Sequence, residues 1–324
     1  MYKFFITTLL VISFSACKKN NSTDGGNTIN GNVFEYSILP SATNSAISSF
    51  NSEHFVSLDT RTTIKNKLFI FLPGTSGSPN FYKLIVKKAA ALGYHSIGLM
   101  YPNNSDLYSA SATSNDLTQF GKCRQEIFDG TEQTSGVTVD LNNCIKNRLH
   151  KLIIYLQQQN PEQNWQQYIL NNDIDWSKCV VAGHSQGGGH ALFIAKKMPV
   201  SKAISFASID WNSTLSRSAD WVLQTGVTPV SKLYSFNSIN DEIFNYNNVK
   251  TQLADMSFIG PATSIDISSP IYNNSHTLIT NATPALLVLV PNHNLTILDQ
   301  YIPKSSDGSV SITISNAWEY LLSN

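Results

Sequence analysis

The stretch from Cys179 to Lys197, CVVAGHSQGGGHALFIAKK, constrains the fold more than any other part of the chain. It passes from an apolar β-branched run, through Gly183 and the Gly187–Gly189 cluster, into a segment with helical spacing. A buried strand that turns at once into a helix is the unit from which parallel sheets are built, because parallel neighbours need a crossover connection. The alternation recurs along the sequence. NVFEYSIL, EHFVSLD, KLFIFLPG, HSIGLMYP, KAISFASID and VSKLYSFNS read as strands, with PALLVLVPNH as the last of them. NFYKLIVKKAAALGY, CIKNRLHKLIIYLQQQNP and the closing NAWEYLLS read as helices. The expected fold is α/β: a mostly parallel central sheet, helices on both faces, and a ligand crevice along one strand-end edge.

The chain has 324 residues, 42% of them apolar and 14% charged, which is enough to bury a sizeable core. Lys plus Arg equals Asp plus Glu at 22 each, and no basic run exceeds a lysine pair. That balance lacks the electrostatic footprint of a nucleic-acid binder. The N-terminus, MYKFFITTLLVISFSACKKN, places Lys3 before an apolar run and then small residues, as an export signal does. Its Phe14-Ser15-Ala16-Cys17 resembles the bacterial lipoprotein processing box, with Phe14 standing where leucine is usual. The resemblance implies removal of residues 1–16, lipidation of Cys17, and a membrane-anchored lipoprotein on the periplasmic or cell-surface side. Several acyl chains anchor stably where one does not. Residues 17–31 are polar and glycine-bearing and read as a flexible tether, leaving 32–324 for the domain. In an oxidising compartment Cys123 and Cys144 are expected to pair across a polar loop, with Cys179 a small buried hydrophobe.

Gly183-His184-Ser185-Gln186-Gly187 fits G-x-S-x-G between a strand and a helix. A serine raised to the apex of such a turn takes a strained backbone, and side chains two residues either side would collide with neighbouring elements. The new helix offers free N–H groups and a dipole that favour a developing anion. On these residues the chain resembles the α/β-hydrolase-fold serine hydrolases, from about Asn32 to the end. The resemblance implies a Ser-acid-His order along the chain. Ser185 would be the nucleophile. The acid would be Asp241, just past the VSKLYSFNS strand, with Glu242 and Asp210 as rivals. The base would be His293, after the last apolar run, with His276 as its rival. One oxyanion donor would be the backbone N–H of Gln186. The second would come from the turn after LFIFL, where Gly74, Thr75 and Ser76 all qualify and Pro73 has no N–H to give. His184 and His190 read as packing or supporting groups, and His54, His95 and His150 as structural.

No metal-ligand spacing, phosphate loop or dinucleotide fingerprint is visible, and acyl transfer by serine needs no cofactor. Two segments are expected over the site. Asn103–Asn143 reads as a long polar loop carrying Tyr108, Phe120 and Phe128, and Trp211–Pro229 as an insertion with Trp211 and Trp221. Neither resembles a large amphipathic lid, which points to a small or medium ester as substrate. The expected activity is carboxylic ester hydrolysis through an acyl-enzyme. The same residues are compatible with a non-catalytic, surface-anchored binding protein, or with a peptidase or acyltransferase of this fold.

Overall fold

The computed structural model describes residues 31–324. The signal segment, Cys17 and all but the end of the tether lie outside the described residues. Strands β1 (Val33–Ile38), β2 (His54–Asp59), β3 (Leu68–Leu72), β4 (His95–Gly98), β5 (Cys179–His184), β6 (Lys202–Phe206), β7 (Leu233–Ser238), β8 (Thr263–Ser264) and β9 (Thr277–Thr280) form a nine-stranded sheet. Their order is β1-β2-β4-β3-β5-β6-β7-β9-β8. Only β1 with β2 and β2 with β4 run antiparallel. Every other pairing is parallel.

Alternation along each strand divides the sheet between two cores. Leu68, Ile70, Leu72, Val181 and Ala203 face one side, where they meet α2 (Gln119–Asp129), α3 (Ile145–Gln159) and α4 (Gln186–Lys197). Phe69, Phe71, Val180, Ala182, Ile204 and Phe206 face the other, under α1 (Lys83–Ala91) and α6 (Ile312–Ser323). Both faces are therefore covered, which is why the central strands read as unbroken apolar runs. A further helix, α5 (Tyr246–Asp255), follows β7.

From β3 the chain crosses outward to β4, while from β5 it crosses the opposite way to β6. Because β3 and β5 are neighbours, the direction of winding reverses between them. At such a switch point the connections diverge onto opposite faces and leave a crevice beyond the strand ends. The turn after β3 and Ser185 after β5 both open into it.

Three expectations from the sequence are corrected. PALLVLVPNH is not a strand: the place beside β7 is taken by Thr277–Thr280, and β8 lies beyond that. Pro284 and Pro291 bracket the apolar run, Leu289 adopts a positive φ of 59°, and Leu287, Val288 and Leu289 are exposed. Residues 103–143 are not a plain loop, since they contain a short helix (Asp106–Ser111) and α2. The Cys123–Cys144 disulfide does not form; Cys123, Cys144 and Cys179 are all free and buried. Cys123 lies on α2 with its Sγ against Ser111 and Gln119. Cys144 instead caps α3, accepting the Asn147 N–H on its sulfur at 3.4 Å. The two thiols serve different local contacts.

What fastens the 103–143 segment is a buried ion pair. Arg124 on α2 donates from Nε and Nη2 to the two carboxylate oxygens of Asp210 at 2.5 and 2.6 Å, with both side chains 0% exposed. Burial alone would lower the Arg124 pKa, but the adjoining Asp210 carboxylate holds it above its ordinary value. Trp221 Nε1 donates to the same carboxylate at 2.8 Å, and Arg124 Nη1 donates to the Gln186 carbonyl at 3.0 Å. Asp210→Ala leaves a fully buried guanidinium without its counter-charge, so the expected loss of stability is about 3–5 kcal/mol. Urea denaturation of the wild type and variant measures it; a loss below 1 kcal/mol would contradict this account.

Candidate active site

Ser185 sits at φ 52°, ψ −117°, between the end of β5 and the first turn of α4. Positive φ is unfavourable for serine, costing of order 1–3 kcal/mol, and the turn is held from both sides. The Ser185 N–H donates to Phe206 O at 2.9 Å, and the Gly189 N–H donates to Ser185 O at 3.1 Å. The flanking glycines are sterically required. A Cβ on Gly183 would land on the Gly187 carbonyl, and one on Gly187 would land on the Leu72 carbonyl of β3. Gly189 is required for a separate reason, because a Cβ there would strike the Arg124 guanidinium.

Asp241 and His293 meet at the same strand-end edge. Asp241 Oδ2 lies 2.8 Å from His293 Nδ1, with both side chains 3% exposed. The other oxygen of Asp241 accepts the N–H groups of Ile243 and Phe244 at 2.8 and 2.9 Å, which fixes the carboxylate plane. An acceptor at Nδ1 places the ring proton there, leaving Nε2 as the nitrogen available for proton exchange. Ser185 and His293 line a common cavity of about 770 Å³.

Glu242 does not act on the imidazole. Its carboxylate accepts the backbone N–H groups of Asn292 and His293 at 3.0 and 2.9 Å, and the Asn292 side-chain amide at 2.6 Å. Burial pushes its pKa up, yet these hydrogen bonds outweigh that and hold it below the usual value. Adjacent acids thus divide the work: Asp241 orients the His293 ring and Glu242 holds its main chain. Asp210 is committed to Arg124. His276 precedes β9 at the opposite ends of the strands, where it donates from Nδ1 to Leu233 O at 2.9 Å and stacks on Tyr234. It cannot reach the crevice from there.

The turn after β3 is clamped from below. Asn103 donates to Gly74 O and Gly77 O at 2.7 and 2.8 Å, and its own carbonyl accepts the Ser76 N–H at 2.8 Å. Gly77 N–H donates to Gly74 O, and Gly74 N–H donates to the Tyr82 hydroxyl at 3.2 Å. Gly74 and Ser76 are therefore engaged, and among the described residues the Thr75 N–H is the one in this turn without a protein acceptor. The backbone N–H of Gln186 is similarly unengaged. The Gln186 side-chain amide, turned so that its nitrogen faces them, donates to Thr75 Oγ1 and Asn104 O, both at 2.9 Å. Asn103, Tyr82 and Arg124 were not legible as site residues, because each acts through partners distant in sequence.

Of the aromatics expected over the site, Tyr108 and Trp211 line the cavity, whereas Phe120, Phe128 and Trp221 are packed in the core. Phe81, Ile209, Ile243, Phe244 and Leu298 add apolar wall, and among the described residues no Lys, Arg, Asp or Glu lines the cavity. Among the described residues no cluster of His, Cys, Asp and Glu suits a metal ion. No protein-family model matches the sequence, and a comparison with curated proteins finds no significant relative.

Asp299 ties the Phe81–Leu84 segment to the chain beyond His293. Its carboxylate accepts the Leu84 N–H at 3.2 Å, and its N–H donates to Phe81 O at 3.0 Å. Burial raises its pKa from 3.8 to about 6, against the pull of the Leu84 and Lys83 N–H groups. The folded state then binds this proton more tightly than the unfolded chain. The carboxyl's contribution to stability is full below pH 3.8 and is lost as pH rises towards 6. Asp299→Asn keeps an acceptor for Leu84 but has no proton to exchange. Across this window the stability of the wild type relative to Asp299→Asn is expected to fall with rising pH, measured by urea unfolding in steps. A constant or rising difference would contradict it.

Proposed function

We propose that this chain is a serine hydrolase of the α/β-hydrolase type that cleaves carboxylic esters through an acyl-enzyme. The observation that carries the reading is the Asp241–His293 hydrogen bond of 2.8 Å. Its histidine lines one cavity with a serine held on a strained strand-to-helix turn. In the proposed cycle, Ser185 Oγ attacks the ester carbonyl carbon while His293 Nε2 takes its proton. The carbonyl oxygen becomes an oxyanion facing the N–H groups of Gln186 and Thr75. His293 returns the proton to the departing alkoxide, and the acyl group stays on Ser185. Water then attacks the acyl carbon, giving its proton to His293, and the acid leaves as Ser185 is reprotonated.

The cavity walls support an uncharged substrate, since a charge brought there would lose its hydration without meeting an opposite one. The volume of about 770 Å³ leaves room for more than a small ester. Lipid attachment at Cys17 would keep the enzyme at the envelope, and Cys17→Ser is expected to shift the protein from the membrane to the soluble fraction.

A fluorophosphonate probe and a chromogenic ester series test the reading together. Ser185→Ala is expected to abolish labelling and to lower turnover by roughly 10⁴-fold or more. His293→Ala is expected to lose turnover to a similar degree, while His276→Ala retains it. A neutral ester is expected to outperform a size-matched ester with an acyl carboxylate by about 100-fold in kcat/KM. Undiminished turnover by Ser185→Ala would falsify the assignment.

A further inference from the structure

His184 precedes Ser185 and is buried against His293, with ring centroids 4.7 Å apart. Its Nε2 lies 3.1 Å from the His293 backbone carbonyl, and its Nδ1 lies 3.0 Å from the Tyr82 hydroxyl. A carbonyl oxygen can only accept, so the His184 proton resides on Nε2 and Nδ1 is a bare acceptor. Tyr82 must then donate its O–H to Nδ1, and its oxygen is free to accept the Gly74 N–H at 3.2 Å. Burial, reinforced by the nearness of His293, holds the His184 pKa well below its ordinary value, and burial raises that of the Tyr82 phenol. Both groups therefore stay in the neutral forms that this direction requires.

The hydrogen bonds form one chain with a single sense: Gly74 N–H to Tyr82 O–H to His184, and His184 to the main chain of His293. Its ends lie on the two elements that the proposed chemistry must place around Ser185. Gly74 opens the turn that presents the Thr75 N–H, and His293 carries the ring. The contact is close, because a Cβ on Gly74 would come within 3.0 Å of His184 Nδ1 and 3.3 Å of Ser185 Cβ. Neither Tyr82 nor His184 is required to exchange a proton during turnover.

We propose that Tyr82 and His184 are positioning residues, which set the oxyanion turn and the base in register with the nucleophile through this chain of hydrogen bonds. The inference rests on the serine hydrolase reading above. Productive geometry tolerates only small errors, and a displacement of about 1 Å costs on the order of 10²-fold in rate. Cutting the chain should therefore act on the chemical step more than on substrate binding.

The test uses Tyr82→Phe, His184→Asn and His184→Gln, assayed on one neutral ester with urea unfolding in parallel. Gln places an N–H donor where His184 Nε2 was, so it preserves the link to His293, and Asn does not. His184→Asn is expected to lower kcat by about 10- to 100-fold, Tyr82→Phe by about 10-fold, and both should leave KM within about threefold. His184→Gln keeps the His293 link but gives up the Nδ1 acceptor for Tyr82, so its loss is expected to be no greater than that of Tyr82→Phe. The proposal is overturned if His184→Asn and Tyr82→Phe keep kcat within twofold of wild type. It is equally overturned if Gln is more impaired than Asn, or if the losses follow the urea midpoints alone. Nitrogen-15 NMR of the histidine rings gives a readout independent of turnover: a His184 proton on Nδ1 would overturn the direction of the chain. Failure of the hydrolase reading itself is distinguishable, because it would show as a wild type with neither probe labelling nor ester turnover.

Discussion

The structure depends on how closely three stretches of backbone approach at one point. The end of β3, the end of β5 and the first turn of α4 meet where Gly183, Gly187 and the Leu72 carbonyl leave no room for a side chain. This contact forces the chain to reverse over a single residue, and Ser185 takes the positive φ that the reversal demands. A local conformation of this kind persists only where the surroundings over-determine it. Here the parallel neighbour β6 supplies an acceptor at Phe206, and Arg124 holds the Gln186 carbonyl from behind.

The groups that make this elbow chemically interesting reach it by different physical routes. The sheet delivers Ser185 and Asp241 directly, because β5 and β7 run parallel and end on the same edge. His293 is delivered by hydrogen bonds instead, lying in a short helix (Pro291–Asn294) that the Glu242 carboxylate caps. One acid holds the ring and its neighbour holds the backbone, so His293 is fixed from two sides although the 287–289 segment before it is exposed.

Sequence reading succeeded where the determining interactions are local. The glycine spacing around Ser185 and the β-branched runs are properties of contiguous residues, so the elbow and most strands could be read in advance. His293 lies beside Asp241 as the chain order suggests, but the apolar run before it is surface chain and not a strand. His276 could not be rejected from sequence, because nothing local says that it lies at the opposite strand ends. The helix within residues 119–129 was hidden by the polar residues around it, and Cys123 and Cys144 invited a pairing that their separate contacts exclude. Arg124 and Asp210 are 86 positions apart, and no pattern in either neighbourhood announces the other.

That last pair has a consequence for how the protein can diverge. Exchanging both charges for well-packed apolar residues of similar volume is often close to neutral, but losing one alone strands the other in a medium that cannot solvate it. A change at either site alone carries that cost, so the two residues are physically coupled. The outer surfaces of the segments they join carry no such restriction. A change at the rim of the crevice is therefore expected to cost little beside a change to one member of the hidden pair beneath it.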